Sequence, residues 1–165
     1  MPALTAGTVA PDFSLRSVDG QTIKLREALK RGPVVAAFFK VSCPVCQLAF
    51  PYLDRLHKAY GDRNVTIVGI SQNGEKETKQ FMDDYGVNFP VLLDDRASYK
   101  VSNAYGLTNV PSLFYIARDG GVEQSIVGWS RSEMDELNGR IAHAAGMMRA
   151  RIFHPGEDVP EFKAG

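Results

Sequence analysis

The stretch "FFKVSCPVCQLAFP", residues 38–51, holds both cysteines of the chain, Cys43 and Cys46. An apolar run leads into it and a helical pattern leads out. A C-x-x-C at such a junction admits four readings: half a metal site, a permanent staple, two inert buried thiols, or a redox pair that opens and closes. The surrounding sequence sorts them.

A tetrahedral zinc site takes four ligands, commonly as two close pairs. Here there is one pair, and His57, His143 and His154 are scattered along the chain, so no metal site is expected. A permanent staple belongs to oxidising compartments. The N-terminal "MPALTAGTVAPDF" has neither a basic start nor an apolar signal core, and on that ground the chain is read as cytoplasmic. No apolar run approaches the roughly 20 residues that cross a bilayer. Lysine plus arginine equals aspartate plus glutamate at 19 each, so no charge excess draws nucleic acid or an anionic membrane.

The local sequence supplies what a redox pair needs. Cys43 falls at a helix N-cap and Pro44 at the first helical position, where proline forfeits no hydrogen bond. Free N–H groups and the positive end of the helix dipole favour a thiolate at Cys43. Cys46 lies one turn further, on the same face and deeper. Cys43 then attacks a disulfide, and Cys46 resolves the mixed disulfide.

Working outward, "PVVAAFFKV" (33–41) and "NVTIVGIS" (64–71) are continuous apolar runs, as in strands buried on both faces. Ala49, Tyr52, Leu53, Leu56 and Tyr60 recur at helical spacing. "FSLRSVDGQTIKL" (13–25) is two alternating segments around Asp19-Gly20, a hairpin pattern. "EKETKQFMDDYG" (75–86) is an amphipathic helix stopped by Gly86. "FPVLLDD" (89–95) is a short strand, followed by a helical turn or two up to Tyr105-Gly106. "PSLFYIA" (111–117) and "VEQSIVGW" (122–129) flank Asp119-Gly120-Gly121 as a second hairpin. Ser130 and Glu133 form a capping box opening a last helix to about Ala145. The order predicts an α/β domain over residues 1–146, with a mixed central sheet and helices on both faces. Residues 147–165, rich in proline, glycine and charge, are expected as an irregular tail. Its Ile152–Phe153 and Phe162 are expected to pack on the domain or on a neighbour. Ligands of such sheets sit beyond the carboxyl ends of strands, which is where Cys43 lies.

The chain resembles the thioredoxin fold, in the redoxin branch that includes TlpA-like thiol-disulfide oxidoreductases and the AhpC/TSA peroxiredoxins. "APDFSL" (10–15), "SCPVC" (42–46), Pro51, "FPVLLD" (89–94), "YGLTNVPSLFYIARDG" (105–120) and "VGW" (127–129) carry the resemblance in that order. It spans roughly residues 8–146. It implies a thioredoxin-like fold with an N-terminal β-hairpin extension, and a thiol-disulfide oxidoreductase acting through Cys43 and Cys46. It implies a helix kinked at Pro51. It implies a cis Val110–Pro111 bond beside the cysteines, with Val110 backbone groups pairing with an extended substrate. Ser42, Pro44, Val110 and Pro111 are the candidate substrate-binding residues. No cofactor is implied beyond the Cys43–Cys46 disulfide. The implied partners are protein or small-molecule disulfides and a thiol electron donor, for a monomer or weak dimer.

Departures limit what is carried over. Thioredoxin has tryptophan at the position of Ser42 and a buried aspartate at that of Ala37; some TlpA-like reductases have glutamate at that of Ala49. No carboxylate of either kind is placed to take the Cys46 proton. Lys40 stands three residues before Cys43. A peroxiredoxin's Pro-x-x-x-Thr-x-x-Cys loop fits neither register: counted from Cys43 those positions are Ala36 and Lys40, and from Cys46 they are Phe39 and Cys43. Peroxidase activity is therefore the secondary enzymatic reading, and a non-catalytic binding module the third.

Overall fold

The computed structural model describes residues 3–61 and 63–165. In chain order its elements are β1 (Ser14–Arg16), β2 (Thr22–Lys24), α1 (Leu25–Arg31), β3 (Val34–Phe39), α2 (Pro44–Tyr60), β4 (Thr66–Ser71) and α3 (Glu75–Tyr85). Then follow β5 (Val91–Leu93), α4 (Lys100–Ala104), β6 (Ser112–Ile116), β7 (Val122–Val127), β8 (Trp129–Ser130), α5 (Arg131–Ala145) and β9 (Phe162–Lys163).

The two continuous apolar runs become the centre of the sheet, whose order is β5-β4-β3-β6-β7. β3 and β4 pair in parallel, as do β4 and β5. β6 joins the other side of β3 antiparallel and turns into β7. All residues of β3 are buried, because both of its faces are covered. Val35, Ala37 and Phe39 face a core built with α2, α3 and α5. Val34, Ala36 and Phe38 face a second core with α1, α4 and Phe13. The hairpin around Asp19-Gly20 forms as a separate two-stranded sheet of β1 and β2. Ser130 caps α5 by accepting the Glu133 N–H at 3.2 Å.

Residues 7–18 touch both outer strands. Gly7 N–H donates to Val122 O and Val122 N–H to Thr8 O, with Val9 bridging Gly121 beside β7. On the opposite rim, Val18 N–H donates to Val91 O and Ser17 bridges Leu92.

Three elements depart from expectation. α1 follows β2 without a break where only a hairpin leg was expected. The strand expected to continue to Trp129 breaks at Gly128, which has φ 79°, so Trp129 and Ser130 leave the sheet as β8. Residues 147–165, expected as irregular, contain β9, which pairs antiparallel with β8. Ile152 and Val159 of this tail are buried in the core. Phe153 packs on Tyr52 and Trp129. The Phe162 side chain, expected to pack, is 65% exposed.

Arg55 of α2 anchors the tail. Its guanidinium donates to both carboxylate oxygens of Glu157, at 2.8 and 2.6 Å, and to Ile152 O at 2.7 Å. This fork, with the His154 N–H, holds the Glu157 carboxyl down to about 2 from its usual 4.5. A depressed carboxyl pKa stabilises the folded arrangement above the unfolded value and loses that contribution as pH falls through the folded one. Tail attachment should therefore be intact above pH 4.5 and loosen toward pH 2. Trp129, the single tryptophan, lies against Phe153 and reports on it. Its emission should shift to the red over that window, and Glu157→Gln should show the loosened emission at neutral pH.

Candidate active site

β3 delivers the chain to the first cysteine, and a short turn starts α2. Cys43 is the N-cap and Pro44 opens the helix. The turn is pinned by two side chains that no motif announces. Asn73 Oδ1 accepts the Val41 N–H at 2.9 Å, and Gln47 Nε2 donates to Val41 O at 3.0 Å. Asn73 lies 32 residues away on the loop after β4, so only the parallel pairing of β3 and β4 brings it here. Ser42 and Pro44 flank Cys43 and are exposed, as is Lys40.

Cys43 Sγ accepts the Cys46 N–H at 3.2 Å and donates to Val110 O at 3.4 Å. It is partly exposed, whereas Cys46 is fully buried behind it. Burial and the hydrogen bond with Cys43 push the Cys46 thiol well above the ordinary cysteine range. Ala37 and Ala49, the positions considered for a buried carboxylate, are both buried. Among the described residues, no hydroxyl or guanidinium hydrogen-bonds Cys43 Sγ. Nor does any group of three His, Cys, Asp or Glu side chains there form a metal cluster.

The Val110–Pro111 bond is cis, and Pro111 is buried while Val110 is partly exposed. The structure thus brings Cys43, Cys46 and Val110 into direct contact across 67 residues of chain, with Ser42, Pro44 and Pro111 as their neighbours in sequence. Pro51 lies inside α2, which runs on to Tyr60. A groove of about 500 Å³ lined by Val41, Gln47, Phe81 and Tyr85, among others, opens beside the cysteine turn.

The difference between the two thiols gives the first chemical test. Iodoacetamide at neutral pH is expected to alkylate Cys43 well before Cys46, since Cys46 is buried and hard to ionise. Peptide mapping of the first-labelled product checks this. Preferential labelling of Cys46 would reverse the assignment.

The AhpC/TSA family model matches residues 6–125. The chain belongs to the AhpC/TSA family. Within it, the chain is similar to the thiol-disulfide oxidoreductase ResA of Halalkalibacterium halodurans, at 31% identity over 79% of this chain and 73% of that protein. It is similar to the ResA of Bacillus subtilis at 33% identity, over 80% of this chain and 73% of that one. Among solved structures, a putative thiol:disulfide interchange protein DsbE from Chlorobium tepidum superposes with a TM-score of 0.76 at 25% identity, covering 87% of this chain and 100% of that one. The peroxidoxin BcpB of Mycobacterium tuberculosis shares the fold, with a TM-score of 0.69 at 23% identity over 89% of this chain and 99% of that one. The thioredoxin-like fold expected from the sequence is the fold found.

Proposed function

We propose that this thiol-disulfide oxidoreductase works as a reductase of protein and small-molecule disulfides in the cytosol. The observation that carries the reading is the position of Cys43 Sγ, between the Cys46 N–H and Val110 O, with Cys46 buried directly behind. Cys43 as thiolate attacks one sulfur of the substrate disulfide. An S–S bond forms between Cys43 and the substrate, and the other substrate sulfur leaves as a thiolate. Cys46 then loses its proton and attacks Cys43 Sγ, closing the Cys43–Cys46 disulfide and expelling the second substrate thiolate. Two electrons pass from the pair to the substrate, and a thiol donor restores the dithiol. The pair is itself the redox group, with no other cofactor. Ser42, Pro44 and Val110 form the rim on which the substrate chain rests, and Pro111, buried next to Val110, supports it from within.

Hard ionisation of Cys46 suits this order of events. A free Cys46 thiolate would compete for the substrate; a buried thiol waits until the mixed disulfide forms beside it. Thiolate attack depends on the thiolate fraction, so closure should quicken as pH rises.

The deciding experiment compares hydrogen peroxide and oxidised glutathione on one reduced sample by stopped flow. Oxidised glutathione is expected to oxidise the pair readily, and insulin disulfides to be cleaved with dithiothreitol as donor. Peroxide should react no faster than with an unassisted thiolate, because among the described residues no hydroxyl or guanidinium hydrogen-bonds Cys43 Sγ to support the breaking O–O bond. Rapid, saturating peroxide consumption that Cys43→Ser abolishes would move the chain to the peroxidase side of its family.

A further inference from the structure

The tail does more than close the core. Beyond β9 its last residues reach the cysteine site. Gly165 packs so closely on Val110 that a Cβ there would stand 2.7 Å from Val110 O. Val110 O is the same atom that accepts from Cys43 Sγ. Asn109 Nδ2 donates to Gly165 O at 3.0 Å. The segment arrives as an extended strand, with Lys163 opposite Trp129 and Phe162 opposite Ser130. Trp129 Nε1 donates to Pro160 O at 2.6 Å, and Arg131 N–H to Glu161 O at 2.9 Å. Gly128 lets the strand pass: a Cβ on it would lie 2.6 Å from Lys163 O and 2.8 Å from Gly165 N.

An extended polypeptide is thus already lying along β8 and packing against Val110. Main-chain pairing along an exposed edge is how extended peptides are commonly held. A polypeptide presenting its disulfide to Cys43 needs the same Val110 edge. We infer that residues 162–165 occupy the docking track for extended polypeptide substrates and compete with them. The substrate class selected is a polypeptide disulfide in extended conformation. On displacing the strap it takes over the β8 edge, and one of its carbonyls accepts from Asn109 Nδ2 in place of Gly165 O. A small disulfide reaches Cys43 without entering this track. The inference rests on thiol-disulfide exchange at Cys43.

The competition has a measurable form. A site free for only a fraction of the time shows an apparent affinity reduced by that fraction. Deleting residues 162–165 should lower KM for a disulfide-bonded peptide at least about fivefold, leaving kcat and the rate with oxidised glutathione unchanged. Gly165→Val, whose added carbons meet Val110 O, tests the same displacement with the rest of the strap retained. It should shift KM in the same direction. The synthetic peptide Val159–Gly165, added in trans, should inhibit the deletion variant competitively against the peptide disulfide and leave oxidised glutathione exchange untouched. If both variants exchange with oxidised glutathione as the parent does while the peptide KM stays fixed, this inference alone is overturned. It is also overturned if the gain is equal for both disulfides. If the parent protein exchanges with neither disulfide, the oxidoreductase reading falls and this inference with it.

Discussion

Cys43→Ser is expected to cut disulfide exchange by about a thousandfold or more, since a hydroxyl at this site is not ionised at neutral pH and the nucleophile is lost. Cys46→Ser should fail differently. Attack by Cys43 remains, but nothing stands behind it to expel the bound half of the substrate. The variant should accumulate a mixed disulfide at Cys43, visible by mass spectrometry as an adduct that dithiothreitol removes. The asymmetry follows from the structure, in which one sulfur is partly exposed against Val110 O and the other is buried a turn inside α2. Equal loss in both variants without any adduct would show that the two cysteines do not divide the work this way.

Trp129→Ala should be strongly destabilising. The ring is completely buried and packs on Tyr52 and Phe153. Its Nε1 also holds Pro160 O. Truncation removes a large apolar side chain, leaves a cavity and frees a carbonyl in the tail, at a cost of about 3–5 kcal/mol. For a domain of this size that is a fall in Tm of roughly 6–20 °C. Trp129→Phe keeps much of the packing but not the donor, and should recover more than half of the loss. If calorimetry shows both variants melting within a degree or two of the parent, the tail and α2 are not joined through this ring.

The sequence was most legible where one physical signal sufficed. β3 and β4 are continuous apolar runs because both their faces are covered, and α5 announces itself through Ser130 and Glu133. The cysteine site was legible for the same reason. A short spacing at a strand-to-helix junction has few chemical uses, and the "NVPSLF" resemblance pointed to Val110 and Pro111. α1 was not legible. Its seven residues follow β2 directly, and its N-cap, Lys24, makes no side-chain capping bond. β8 and β9 are two residues each, too short for any periodicity, and their pairing joins positions more than thirty apart. Asn73 and Asn109 act through contacts that only the folded chain creates. A lone asparagine in a loop carries no pattern to reveal such a role.

The path of residues 7–18 matters for what the molecule avoids. An open sheet ends in strands whose unused N–H and C=O groups invite pairing with another molecule. Here the Thr8–Val122 and Val18–Val91 hydrogen bonds place the segment before β1 and the β1–β2 turn across part of each terminal strand, β7 on one rim and β5 on the other. Resistance to edge-to-edge association is thus expected to depend on a segment remote from the cysteines. Proteolytic clipping before Ala10 should leave redox chemistry intact at first, yet uncover the β7 rim and let the protein assemble edge to edge into fibrillar aggregates.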